Sequence, residues 1–242
     1  MKQEIFDRLN GVTAYVSVIA LIIILLITSI DMNCFNRDFF KSEYETLETA
    51  KELGMSEADL NKATNTLLDY LRDEREDISA EITLKGSKVQ AFNSKEAAHM
   101  VDVKGLYQFA MVLRNVCLIV FCASFIYLLI RLKKGAFTLL SIDYMKTATL
   151  FAVVFAMIAM WAYVDFDAFW TLFHRLVFRN ELWLLDPSTD LMINLFPSQF
   201  FSSLVFRIVG MFAGSFILIF AGSYLFLRIR LNRMHEELQN EL

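Results

Sequence analysis

The chain has 242 residues, of which 56% are hydrophobic and 21% charged, with 23 Phe and 11 Met, a balance too apolar for an ordinary soluble domain. A mean hydropathy of +0.45 places it in a bilayer, and a formal charge of −4 with pI near 5.5 leaves no basic surface for nucleic acid.

Crossing the hydrocarbon takes about 20 apolar residues, and four stretches qualify: Val12 to Ile30, Tyr107 to Ile130, Thr147 to Val164 and Phe200 to Leu227. Short basic flanks orient them. Lys2 and Arg8, then Arg131, Lys133 and Lys134, then Arg228, Arg230 and Arg233 fall on one side, which is therefore read as cytoplasmic, with both termini there. The acidic segment Asp31 to Asp102 is then outside. Three divisions follow: 1–30 as tail and first span, 31–104 as an extracytoplasmic cap, and 105–242 as the last three spans with an outer interfacial segment 165–199 and a cytoplasmic tail. The expected fold class is mainly α, a four-helix transmembrane protein whose small outer cap is α+β. Cys117 and Cys122 read as small apolar residues of one span, and Cys34 follows no small-residue cleavage pattern, so the first span is expected to be retained.

Within the cap, Phe39 to Leu53 reads as a helix ending at Gly54, and Ser56 with Asp59 resembles a capping box opening a second helix with the stripe Leu60, Ala63, Leu67, Leu71. Ile78 to Leu84 and Lys88 to Phe92, separated by a turn through Gly86 and Ser87, predict a hairpin. Ser94 is a candidate N-cap for a helix running through His99 and Asp102 into the second span. Arg114 and Arg207 then lie at similar depths in spans two and four, where they either snorkel to headgroups or line a lipid path. Phe166 to Phe178 suits a helix lying in the outer interface that holds His174 at headgroup level.

Phosphate loops, nucleophile elbows, metal helices and C-x-x-C are all absent, and no cofactor is expected. His99 and His174 are the two histidines outside, and His235 is in the inner tail. His99 and Asp102 share a helix face, an arrangement that is either an idle surface pair or one that fixes the imidazole tautomer and raises its basicity. In "DPSTD", Asp186 as N-cap, Pro187 at the first helical position and Asp190 favouring the dipole describe a helix start; its N–H groups could also serve a developing oxyanion, with Arg179 and Asn180 as further donors. The tryptophans read mainly as interfacial belt residues.

The segments "FNSKEAAHMVDVKGLY" (Phe92 to Tyr107) and "FHRLVFRNELWLLDPSTDLMINLFPSQFF" (Phe173 to Phe201) resemble the bacterial lipoprotein intramolecular transacylase family. The order of elements, including "LLDYL" at Leu67 to Leu71, agrees over nearly the whole chain. The resemblance implies an integral membrane acyltransferase of the bacterial envelope, without nucleotide. It would move the sn-2 acyl chain of an S-diacylglyceryl-cysteine to the α-amine of that cysteine, giving lyso-form lipoprotein. It also implies catalytic roles for His99, His174 and Asp186. Asp102, Lys104, Arg114 and Arg179 are candidates for substrate binding, together with Asn180, Trp183, Asp190 and Arg207. Expected partners are diacylglyceryl-modified lipoproteins and membrane lipid. Two other readings remain open at this point: a metal hydrolase using His99, His174 and Asp186 or Asp102 around zinc, and a non-enzymatic sensor or assembly factor binding a partner through the cap surface from Asp69 to Asp77.

Overall fold

The computed structural model describes residues 2–240, so the predicted segment ends at Met1, Glu241 and Leu242 lie outside the described residues. Four helices are long and apolar enough to cross a membrane: α1 (Lys2–Cys34), α5 (Ser94–Leu132), α6 (Gly135–Val164) and α9 (Ser198–Asn240). Each contains one predicted span, and the chain is a multi-pass membrane protein. At 1.5 Å per residue α5 is about 58 Å long, roughly twice the hydrocarbon thickness. Its apolar stretch is Tyr107 to Ile130, so the turns carrying Glu96, His99 and Asp102 project beyond it.

The chain divides into two compact units, and all four long helices contribute to both. The first comprises 1–30, 112–159 and 208–242. Its core packs Val18 and Ile22 of α1 against Tyr144 and Ala148 of α6 and Phe212 and Phe216 of α9. The Tyr144 hydroxyl donates to the carbonyl of Phe216 at 2.9 Å, which removes a hydroxyl that lipid could not satisfy. Ala14, Leu128 and Ala136 form a second contact, where small side chains let helix backbones approach. Outward faces stay apolar: Ile119, Leu150 and Leu218 are exposed, as lipid-facing residues should be.

The second unit comprises 31–111 and 160–207. The predicted helix from Phe39 to Leu53 is two: α2 (Arg37–Thr46) and α3 (Thr49–Leu53), broken where Glu48 takes a left-handed φ of 50°. The turn buries Thr49, and a Glu gives no warning of it because Glu is a good helix former. Gly54 closes α3 at φ 68°, and Ser56 caps α4 (Glu57–Leu71) by accepting from the Asp59 N–H, both as expected. The hairpin is β1 (Glu81–Leu84) with β2 (Ser87–Gln90), antiparallel with Leu84 opposite Ser87. Its turn is Lys85–Gly86 rather than Gly86–Ser87, because both Lys85 (φ 50°) and Gly86 (φ 82°) adopt the left-handed conformations a two-residue turn needs.

Two apolar clusters hold this unit together. Phe39, Phe40, Tyr44, Phe196 and Phe200 pack ring on ring, while Leu67, Tyr70 and Ile78 meet Met100 and Met192. Tyr44 and Thr64 share a buried hydrogen bond of 2.8 Å. Tyr44→Phe is therefore expected to lower stability by about 1–3 kcal/mol by stranding the Thr64 hydroxyl. Adding Thr64→Val should restore part of the loss, as thermal denaturation in detergent would show.

Candidate active site

Everything that carries the site lies in the second unit. His99 stands on the second turn of α5, and His174 on α7 (Phe166–Val177), which Asp165 caps by accepting from the Ala168 N–H. The two imidazole centroids are 6.3 Å apart with planes at 35°, and Phe178 packs on both rings, at 5.1 Å from His99 and 5.6 Å from His174.

His99 is 7% exposed, and its Nδ1 is buried without a hydrogen-bond partner among the described residues. Burial and the neighbouring His174 push its pKa down to about 4, against an upward pull from Asp102. Desolvation outweighs the carboxylate, so His99 is neutral at physiological pH. Of the two readings of the His99 and Asp102 pair, the tautomer-fixing contact at Nδ1 is not formed. The Asp102 carboxylate instead accepts from the Asn180 amide at 2.8 Å, tying the segment after α7 to α5.

His174 Nδ1 lies 2.7 Å from the Trp170 carbonyl one turn back. A carbonyl can only accept, so the neutral ring carries its proton on Nδ1 and its lone pair on Nε2. Burial lowers the His174 pKa, and the Trp170 contact partly opposes the shift. Trp183 lies over the imidazole at 5.0 Å and 32°, while its indole N–H donates to the Asn180 carbonyl at 2.9 Å. Trp170 meets the His174 ring edge-on at 4.9 Å.

Asp186 makes its hydrogen bonds within its own loop. Its carboxylate accepts from the Ser188 N–H and hydroxyl, at 2.8 and 2.7 Å, which hold it below the usual carboxylate range. "DPST" forms a turn; the helix begins only after Asp190, as α8 (Leu191–Leu195), so Asp186 is not an N-cap and Pro187 is not a first helical residue. Asp190 is 3% exposed and works as a hub, accepting from the Asp186 N–H and the Asn93 amide, both at 2.8 Å. Lys104 is held by Asp73 at 2.6 Å and sits over the Tyr70 ring. Arg207 donates from Nε to Asn33 and lies over Phe39. Arg179 is exposed, and Arg114 is half-buried in the other unit.

Four residues of the site's frame are missing from the sequence-derived set: Asn93, Lys95, Glu96 and Trp170. Asn93 and Glu96 were legible as N-x-x-E, a capping box opening α5 one position before the expected cap at Ser94. Asn93 Oδ1 accepts from the N–H groups of Lys95 and Glu96, and Glu96 accepts from the N–H of Asn93 at 2.7 Å. The Trp170 carbonyl had no sequence signal beyond its i−4 spacing from His174.

Among the described residues no three of His, Cys, Asp and Glu converge as a metal ion would require, so zinc would have no ligand set there. In a multi-pass helical membrane protein, two shielded imidazoles 6.3 Å apart are an arrangement suited to acid–base chemistry. The chain belongs to the lipoprotein intramolecular transacylase family: the family model described as "Lipoprotein intramolecular transacylase Lit" matches residues 15–201. Among solved structures it is similar to the membrane integral lipoprotein intramolecular transacylase Lit from Bacillus cereus, with TM-score 0.73 and 20% identity over 95% of this chain and 98% of that one. Structures of that enzyme with a histidine changed to alanine (TM-score 0.73, 18% identity, covering 96% and 100%) or to arginine (0.68, 19%, covering 95% and 96%) are similar too. At such identity these likenesses establish the shared fold. No curated protein matches the chain. The protein is an acyltransferase acting on lipoproteins, and neither the hydrolase nor the sensor reading is favoured.

Proposed function

We propose that the facing histidines are the proton-transfer pair for moving the sn-2 acyl chain of an S-diacylglyceryl-cysteine onto the α-amine of the same residue. The single observation carrying this is the approach of two neutral imidazoles, one with an unpaired buried nitrogen and the other with its lone pair assigned to Nε2. The substrate amine, with reference pKa near 8, arrives mostly as ammonium at neutral pH. His174 Nε2 takes the first proton and frees the amine, which attacks the sn-2 carbonyl. As the N–C bond forms, His99 removes the second proton. As the C–O bond breaks, the His174 imidazolium returns its proton to the departing sn-2 oxygen. One ester is lost, one amide and one hydroxyl are gained, and one proton leaves through His99. No enzyme-bound acyl group is needed, because nucleophile and ester already share one cysteine and holding them folded together replaces a bimolecular encounter.

In this scheme Asn180 and Trp183 hold the far wall, Asp102 anchors Asn180, and Asp186 and Asp190 shape the loop behind it. Lys104, Arg179 and Arg207 offer charges for headgroup or lipid. The site opens at the extracytoplasmic face beneath a cap formed by 31–104, with both termini cytoplasmic, as the basic flanks support. Membrane lipid surrounds the substrate, no nucleic acid is involved, and no cofactor takes part.

The test is intact-mass and tandem mass spectrometry of a model lipoprotein in cells lacking other N-acylating enzymes. With this chain, one acyl group should move from glycerol to the cysteine amine at unchanged total lipid mass. A persisting diacylglyceryl form with a free amine, despite good expression, would refute it.

A pH consequence follows. Both rings must start neutral and both are shifted below the ordinary imidazole value, His99 to about 4. The acid limb of kcat/KM should therefore lie below pH 6.5, set by whichever of the two rings protonates first as pH falls. A limb at 6.5 or above in purified enzyme would remove the buried pair from the mechanism.

A further inference from the structure

Glu96 is 1% exposed, the most buried carboxylate of the second unit, and it lies one turn before His99 on the same helix. One oxygen accepts from the Asn93 N–H at 2.7 Å, which closes the α5 capping box. The other accepts from the Met192 N–H at 2.6 Å, at the first turn of α8. The Asn93 side chain is divided in the same way. Its oxygen caps α5, while its amide donates to Asp190 Oδ1 at 2.8 Å. Lys95 completes the arrangement by donating to the Leu184 carbonyl, with its ammonium 3.7 Å from Asp190.

A capping box needs only the bonds internal to its helix. Here each of its two side chains keeps one polar atom for the helix and gives the other to the segment 184–192. That segment follows Trp183, which covers His174, and Asn180, which is tied to Asp102 one turn beyond His99. The wall over His174 is thus fixed to α5 at two levels, at Asp102 and at the capping box.

We propose that Asn93 and Glu96 are positioning residues of the transacylase, a double-sided cap that fixes the His174 wall against the His99 helix. The proposal rests on the two-histidine reading. Neither residue touches the reacting atoms; both act through the distance between the rings. Misplacement of about 1 Å can cost about 100-fold in rate, so the expected signature is a loss in kcat with proton chemistry unchanged.

The variant that separates clamp from cap is Asn93→Asp. Aspartate caps a helix about as well as asparagine, but it cannot donate to Asp190 and sets a second carboxylate against it. Glu96→Gln is the partner variant, able to accept at one of its two backbone donors but not at both. Initial rates would be measured on a diacylglyceryl lipopeptide in detergent, well below each variant's melting temperature. His99→Ala would be run alongside.

The clamp predicts kcat lower by about 10- to 100-fold in both variants, KM within about threefold and an unchanged pH profile. A wild-type kcat in folded Asn93→Asp, with only the melting temperature lowered, would reduce the cap to a stabilising role. A shifted acid limb would place these groups in proton transfer and also overturn it. If Glu96→Gln does not fold, Asn93→Asp decides alone. Retained activity in His99→Ala would instead strike at the two-histidine reading, whatever the clamp variants do.

Discussion

Replacing His99 by alanine is expected to cut acyl transfer by about 100- to 10,000-fold, the range a positioned proton acceptor supplies, while the protein stays folded. The ring is 7% exposed and touches Phe178 and His174, so removing it leaves a cavity, but it also removes a buried nitrogen with no partner. Stranding such a group costs about 1–3 kcal/mol, which offsets part of the packing loss. The pKa near 4 carries a stability consequence of definite sign. An unfolded histidine titrates near 6.5, so between pH 6.5 and 4 the unfolded state binds more protons and native stability falls as pH falls, by about 3 kcal/mol in all. His99→Ala should flatten that part of the profile. Lyso-form product would be followed by mass spectrometry, and melting by intrinsic tryptophan fluorescence at pH 7 and pH 5. Normal rates from the folded variant would sink the assignment of His99. An unchanged acid sensitivity would show that its burial is not what weakens the protein at low pH.

The spans were legible because a helix in lipid must be apolar over a length the bilayer dictates, and nothing tertiary can override that. Ser56 and Gly54 were legible because caps use few residue types. The break at Glu48 was not, since its left-handed turn is imposed by the burial of Thr49 and not by any local preference of Glu. The site follows the same division. Periodicity put His99 beyond the apolar stretch of α5 and His174 on α7, but only the return of the chain through 178–192 makes them neighbours. Asp186 shows the limit from the other side. "DPSTD" has the composition of a helix start, yet a type of turn with the same preference for Asp and Pro takes its place, and the helix waits for Asp190. The capping box at Asn93 was readable in principle, whereas its second set of partners, 96 and 97 residues onward, was not.

His174 should be as intolerant as His99, and the choice of substitution separates two kinds of role. In the resting enzyme its Nδ1–H is committed to the Trp170 carbonyl, so only Nε2 faces chemistry. His174→Asn can keep the bond to Trp170 through its amide but has nothing at the Nε2 position. His174→Gln can place an amide N–H near that position and so could still stabilise an oxyanion, but it cannot accept a proton from an ammonium and return it to an alkoxide. If His174 served only as a hydrogen-bond donor, Gln would retain activity within about tenfold of wild type. The proton-return role predicts that Gln, Asn and Ala are all slow by about 100-fold or more. It also predicts that raising the pH toward the amine's own pKa rescues part of the rate, because free amine no longer needs the first proton removed. That rescue should be absent in His99→Ala, whose missing group acts after attack. Rate against pH from 6 to 9 for the four variants therefore tests the order of the two proton transfers as well as the identity of the pair. A His174→Gln enzyme near wild-type speed at pH 7 would leave His99 as the sole proton-transfer group.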